Sequence, residues 1–259
     1  MAEALRTVDL NADLGEGYGP WRMGDDAAML DIVSSANVAC GGHASDPETM
    51  YRTLVLAHDR GICVGAHPSY PDREGFGRRR MPCTAGEIER FVAAQVGQLM
   101  AVAALAGTQV RYVKPHGALA NVAAVEADVA AAILRATRAV DAGLALLAIS
   151  GTVLEQLARA DGFRVYSEIF ADRGYTPEGT LVPRSAPGAM ITDAGAATDR
   201  ILAFLASGRM PAVDGSLIPL AVDSICIHGD SAHAVQMARQ LKAALVADGV
   251  VVRPFLAGA

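Results

Sequence analysis

The chain has 259 residues, 52% of them hydrophobic, and a formal net charge of −6. That supplies enough apolar side chain for a large core, and the length suits a single α/β barrel. The acidic balance argues against a surface built for nucleic acid or anionic membrane. Short runs rich in Val, Ile, Ala and Cys predict strands at residues 8–11, 35–40, 62–66, 111–114, 145–149, 164–168 and 224–227, with a short last strand at 250–253. Helices fill the gaps. Asp46 and Pro47 read as N-cap and first residue of a helix running to Arg60 and stopped by Gly61. Thr84 with Glu87 makes a capping box ahead of residues 88–105. Thr192 or Asp193 opens a helix ending at Gly208, and Asp230 or Ser231 opens another after Gly229.

Strand–helix alternation of this kind implies a parallel sheet with right-handed crossovers. No GxGxxG follows the first strand, so a closed barrel is preferred to an open dinucleotide-binding sheet. No linker or repeat divides the chain, and residues 1–259 read as one barrel domain. The start, Met1-Ala2-Glu3-Ala4-Leu5-Arg6, lacks the apolar core of a secretory signal. Alanine-rich stretches such as residues 100–106 fall short of the ~20 residues a membrane span needs. Cys40, Cys63, Cys83 and Cys226 form no CxxC pair, so a reduced, cytoplasmic setting is the expectation.

Four of the six histidines, His43, His67, His116 and His228, stand where a hydrophobic run breaks into Gly, Pro or Asp. In parallel α/β folds those strand exits share one face, which carries the chemistry. On the first strand Asp9, Asn11 and Asp13 recur with period two, so they share a face opposite Leu10 and Ala12. Polar groups inside a barrel cost several kcal/mol unless paired or used. Asp9 suits either a structural network or a site, whereas Asp13, at the exit, suits function. Asp13, His43 and His67 would form an acceptable divalent-metal set or, equally, a metal-free proton-transfer trio. Asp46 fits a site or a helix cap.

Lys114 beside His116 puts a cation at a strand end, where it needs an anion. Cys40, with no activating motif around it, reads as a buried thiol rather than a nucleophile. Glu168 and Asp172 are placed on one face by period two, ahead of a long Gly/Pro loop at residues 174–184 that suits a lid or binding loop. Arg173 and Arg184 would clamp a carboxylate. The basic run Arg78-Arg79-Arg80 reads as a solvated or partner-facing loop.

Several segments taken together resemble the LamB/YcsF family: Asp9-Leu10-Asn11-Ala12-Asp13-Leu14-Gly15-Glu16, Ala36-Asn37-Val38-Ala39-Cys40-Gly41 and Gly65-Ala66-His67-Pro68-Ser69-Tyr70-Pro71-Asp72. Val113-Lys114-Pro115-His116-Gly117-Ala118-Leu119, Phe170-Ala171-Asp172-Arg173 with Leu181-Val182-Pro183-Arg184, and His228-Gly229-Asp230 complete the ordered set. The resemblance implies an irregular (β/α)7 TIM-like barrel of the glycoside hydrolase/deacetylase type. It also implies the 5-oxoprolinase reaction, hydrolytic opening of 5-oxo-L-proline to L-glutamate coupled to cleavage of ATP with Mg2+, alongside separate B and C subunits. No GxxxxGK[ST] is present to mark an independent ATP site. Two departures stand out: Gly42 where the family usually has an aromatic, which would remove a pocket wall, and Ser45 where it usually has glycine, which would stiffen the turn after His43.

On this resemblance Asp13 or His67 is the expected base for an attacking water, and His116 the acid for the ring nitrogen. Lys114, Arg173 and Arg184 hold a carboxylate or phosphate, and Asn11 and Glu168 orient their neighbours. His43, Asp172, His228 and Asp230 complete the substrate contacts. Divalent metal is expected to arrive with ATP, with none tightly held by the chain. A metal-dependent deacetylase using Asp13, His43 and His67 is the alternative, and a lactam-binding subunit without turnover is another.

Overall fold

The apolar runs form parallel strands whose outer faces are covered by helices. The computed structural model describes residues 6–228 and 233–256. Its strands are β1 (Thr7–Leu14), β2 (Ser35–Ala39), β3 (Cys63–His67), β4 (Val110–Val113), β5 (Ala145–Ile149), β6 (Val165–Phe170), an antiparallel hairpin of β7 (Arg209–Pro211) and β8 (Leu217–Pro219), then β9 (Ser224–Ile227) and β10 (Val251–Val252). β1 to β6 and β9 follow one another round a closed seven-stranded parallel barrel, because β9 pairs with both β6 and β1. β10 extends the edge of β1 at Thr7 and Val8. The helices are α1 (Asp26–Leu30), α2 (Pro47–Asp59), α3 (Ala85–Leu105), α4 (Gly117–Ala123), α5 (Ala127–Val140), α6 (Val153–Ala160), α7 (Ala194–Ser207) and α8 (Ala234–Ala247).

The helix signals in the sequence act as written. Asp46 accepts from the Thr49 amide at 2.9 Å and caps α2, so its carboxylate serves the helix. Thr84 and Glu87 form the reciprocal box that starts α3, Asp193 caps α7, and Gly208 ends α7 at φ 68°. The Asp230/Ser231 start lies outside the described residues. α3 is longer than its alanine-rich part suggests: its 21 residues are long and apolar enough to cross a membrane by length and composition. Its buried positions, Ile88, Val92, Val96, Leu99 and Ala103, recur every three or four residues, and the helix packs on α5 and the barrel. β1 also outruns its expected end, since Asp13 and Leu14 pair with Asn37 and Val38. The β7–β8 hairpin had no clear signal among its short, Pro-interrupted segments.

Inside the barrel the two ends differ. At the end opposite the strand exits, Cys63, Tyr112, Ala145 and Leu147 form an apolar cluster with Leu256. Phe255 plugs it, its ring centroid 5.0 Å from that of Tyr112 and 4.5 Å from that of Tyr166. Gly65 stands beside Tyr112 because a Cβ there would lie 2.2 Å from the ring. The Tyr112 hydroxyl donates to Asn37 Oδ1 at 2.6 Å, joining the apolar plug to the polar layers above.

Asp9 belongs to a structural network, as one of its two readings held. Ser34 and Ser35 each donate to its Oδ1 at 2.6 Å, and Ser224 donates to Oδ2. Burial pushes the carboxyl up from 3.8 to about 6, against the lowering pull of the three hydroxyls. A raised acid favours the folded state fully below the unfolded value of 3.8, and that advantage is lost as pH rises through about 6. Asp9→Asn should therefore gain on the native chain by about 2 kcal/mol between about pH 4 and pH 7. Urea melts of both proteins at the two pH values check this; a difference that does not change with pH would contradict it.

Candidate active site

The strand exits converge on a cavity of about 390 Å³ whose walls include Asp13, His67, Lys114, His116, Glu168, Arg173, Arg184 and His228. Eight of the residues singled out in the sequence thus meet at one opening. Asn11 lies just beneath, donating to Glu168 Oε1 at 3.0 Å and to Ser224 Oγ at 2.7 Å.

Lys114 ties the floor together. Its Nζ is 2.9 Å from Asp13 Oδ1, 2.8 Å from Glu168 Oε1 and 3.3 Å from Asn11 Oδ1. Burial alone would drive the ammonium down, but Asp13 and Glu168 outweigh it and hold Lys114 well above its ordinary value. Asp13 feels the same burial in the opposite sense, yet His67 and Lys114 hold its carboxyl well below the usual range. Burial prevails for Glu168, which is raised despite Lys114 and Asn11. Two carboxylates around one cation leave a surplus negative charge, and the structure puts the stronger acid at the strand exit.

His67 Nδ1 lies 2.7 Å from the Lys114 carbonyl oxygen, and His116 Nε2 lies 2.9 Å from the Phe76 carbonyl oxygen. A carbonyl only accepts, so these nitrogens carry the protons. His67 Nε2 then faces His116 Nδ1 at 3.0 Å and Asp13 Oδ2 at 3.3 Å. His43 stacks on His116, with ring centroids 3.7 Å apart and 2° between planes, and its Nε2 meets Glu16 Oε1 at 3.0 Å. Burial lowers His43 to about 3, and burial with His43 and His67 lowers His116 well below its ordinary value. His116 is accordingly held neutral with a lone pair at Nδ1, which contradicts its expected role as the acid.

Several expectations need correction. The metal trio Asp13, His43 and His67 is not the cluster the fold assembles; Glu16 and His116 join the two histidines, while Asp13 turns to Lys114. Gly42 removes no pocket wall, since a Cβ there would meet Gln95 at 2.3 Å and Ser69 at 2.6 Å, away from the cavity. Glu168 and Asp172 do not act together. Asp172 lies past the strand end and pairs with His228 Nδ1 at 2.8 Å, and His228 outweighs burial to lower the Asp172 carboxyl. Arg173 is buried and holds the long loop, donating to Val182 O at 2.7 Å and Ala189 O at 3.1 Å. Burial and Arg184 lower it to about 10. Cys40 is buried, and burial pushes its thiol up, against nucleophilic use. Asp230 lies outside the described residues.

Glu16, Phe76 and Arg78 were missed. Gly15, at φ 68°, breaks the strand alternation and swings Glu16 to His43, a turn that period-two counting does not see. The basic run divides three ways: Arg78 lines the cavity, Arg79 pairs with Asp72, and Arg80 pairs with Glu126 at 2.6 Å.

The sequence pattern of the LamB/YcsF family matches residues 8–258. A protein of Pseudomonas syringae pv. tomato, named as a 5-oxoprolinase A subunit, is 51% identical over 97% of this chain and 98% of its own. The 5-oxoprolinase A subunit of Azorhizobium caulinodans is 52% identical over 97% and 99%. Among solved structures, the lactam utilization protein of Thermus thermophilus superposes with a TM-score of 0.89 at 42% identity, covering 95% of this chain and 99% of that one.

Two stability outcomes follow from the site. Lys114→Met would leave Asp13 and Glu168 facing each other without their cation, and should cost about 3–5 kcal/mol in urea unfolding. Ser45 has the left-handed φ of 78° that favours glycine, and its buried Oγ has no partner among the described residues. Ser45→Gly should thus stabilise the chain by about 1 kcal/mol, read as a higher melting temperature; no gain would show that the turn is unstrained.

Proposed function

The chain belongs to the LamB/YcsF family, and from that premise we propose that it is the A subunit of a 5-oxoprolinase, opening 5-oxo-L-proline to L-glutamate with cleavage of ATP beside B and C subunits. The observation that carries this reading is the ionised Asp13, locked between Lys114 and His67 on the floor of a cavity rimmed by Arg78, Arg173 and Arg184. Near-full-length similarity to proteins named for that reaction supports it.

A five-membered lactam is a stable amide, so ATP has a chemical task. Transfer of a phosphoryl group to the lactam oxygen, with ADP leaving, makes the ring carbon electrophilic. One water then adds to that carbon and loses its proton to Asp13, the C–N bond breaks, and the ring nitrogen takes a proton. A second water releases phosphate and leaves the carboxylate of glutamate. Lys114 and His67 keep Asp13 in the proton-accepting form and fix its oxygens toward the water, at the cost of making it a weaker base than an ordinary carboxylate. His228, backed by Asp172, is the proton donor to the nitrogen in place of His116. Lys114 offsets negative charge as it develops near the floor, and Arg184 with Arg78 attracts the substrate carboxylate or phosphate. Arg173 acts by fixing the loop that carries Arg184. The chain has no recognised phosphate-binding glycine loop, so ATP binding is assigned to the assembled subunits, with Mg2+ carried on the nucleotide.

The test is release of glutamate from 5-oxoproline with ATP and Mg2+. This chain alone should be nearly inactive, and adding B and C subunits should restore turnover; robust activity of the chain by itself would refute the shared-subunit reading. In the reconstituted enzyme Asp13→Asn should lower kcat at least ~100-fold while circular dichroism stays native. A folded Asp13→Asn enzyme of ordinary activity would remove Asp13 from the chemistry.

A further inference from the structure

Among the described residues, Glu16, His43, His67 and His116 each offer one ligand atom, and the four atoms lie within 4.8 Å of one another. All four side chains are buried. Their separations include 3.0 Å from Glu16 Oε1 to His43 Nε2, 3.7 Å from Glu16 Oε1 to His116 Nδ1, and 3.0 Å from His67 Nε2 to His116 Nδ1. Ligands about 2.0–2.2 Å from a common ion stand roughly this far apart, and for all four to bind, one of the stacked His43 and His116 rings, now 2° from parallel, must turn so that its nitrogen points at the ion.

The protonation pattern points the same way. The Phe76 carbonyl fixes the His116 proton on Nε2, so a lone pair at His116 Nδ1 faces His67 Nε2 across 3.0 Å, and Asp13 Oδ2 faces the same His67 nitrogen at 3.3 Å. Lone pairs at that distance repel unless a cation lies between or beside them. A proton could fill that place, but a metal ion would in addition draw on Glu16 and His43, which lie 3.0 Å apart beside the two nitrogens. Backbone carbonyls behind two histidine ligands are also the usual means of holding tautomer and ring direction at a metal centre.

We propose that Glu16, His43, His67 and His116 form a binding site for a divalent transition-metal ion of the Zn2+ type. Three imidazoles and one carboxylate suit such an ion and are poor ligands for Mg2+ or Ca2+, which prefer oxygen. A hollow of about 230 Å³ reaches Glu16 and His43 from the side of Trp21 and Phe76, away from the lactam cavity, and gives the ion a route in. The site departs from the expectation that the chain holds no metal of its own. In it the ion would supply a Lewis acid within reach of Asp13, which approaches His67 Nε2 to 3.3 Å.

The test needs no substrate, so its outcome is separate from that of the 5-oxoprolinase reading. The full chain is stripped with chelator, incubated with Zn2+, dialysed against metal-free buffer and analysed for metal; a parallel sample receives Co2+ and its visible spectrum is recorded. The native chain should retain about one Zn2+ and show the d–d bands of nitrogen-ligated Co2+. His67→Ala and Glu16→Gln should weaken Zn2+ binding at least about tenfold, and His58→Ala, at an exposed position, should leave it unchanged. A folded native chain that retains no Zn2+ and gives no Co2+ bands overturns the site. So does retention that survives both ligand substitutions. Should either variant fail to fold, the native Co2+ spectrum decides between these outcomes.

Discussion

A buried ammonium between two buried carboxylates is the interaction on which the upper half of this barrel depends. Lys114 is buried at the cavity floor and would be costly there without Asp13 and Glu168, which touch it at 2.9 and 2.8 Å. Those carboxylates come from β1 and β6, and Lys114 follows β4, so the contact draws three separate strands to one point. Asn11 and Asn37 fill the remaining hydrogen-bonding capacity of the group: Asn37 donates to Asn11 Oδ1 at 2.7 Å and to Asp13 Oδ1 at 2.9 Å. A network this closed fixes positions as much as it stabilises, since any displaced member leaves a buried charge unpaired.

The barrel is layered by chemistry along its axis. Apolar rings seal the base, with Phe255 against Tyr112 and Tyr166. Asp9 and its serines occupy another layer, tying β1 to β2 and β9. Above them come the Lys114 cluster and then the histidines, which are covered by the loop carrying Phe76 and Gly77. Gly77, at φ 63°, lets that loop close down, because a Cβ there would lie 2.8 Å from His43 Cβ and 2.9 Å from His116 Cδ2. Phe76 meets both rings edge-on at 5.2 and 5.5 Å. The cover keeps the histidines dry, and dryness keeps His43 and His116 neutral.

Two sides of the same floor are therefore distinct. On one side Asp13, Lys114 and His228 open onto the larger cavity beneath the Arg184 loop. On the other, Glu16 and His43 face the smaller hollow beside Trp21. His67 links them, with Asp13 on one flank of its Nε2 and His116 on the other. A single imidazole thus stands in contact with both the reaction cavity and the histidine cluster.

Much of this was legible in the sequence because it depends on local rules. Apolar runs with Gly and Pro at their ends marked all seven barrel strands, caps such as Asp46 and Thr84 marked helix starts, and period two put Asp9, Asn11 and Asp13 on one face. The convergence of His67, Lys114, His116 and Glu168 also followed, since parallel strands closed by right-handed connections must bring their exits together. What the sequence could not supply was the partner of each side chain. Glu16 depends on the left-handed turn at Gly15, Gly42 on the position of Gln95 across the barrel wall, and Arg173 on two carbonyls in a loop that folds back. Sequence by itself determined which residues arrive at the mouth of the barrel. Only the tertiary structure decided that Asp13 belongs to Lys114 and that Glu16 belongs to the histidines, because hydrogen bonding and desolvation act through space over a few ångströms, between residues far apart along the chain.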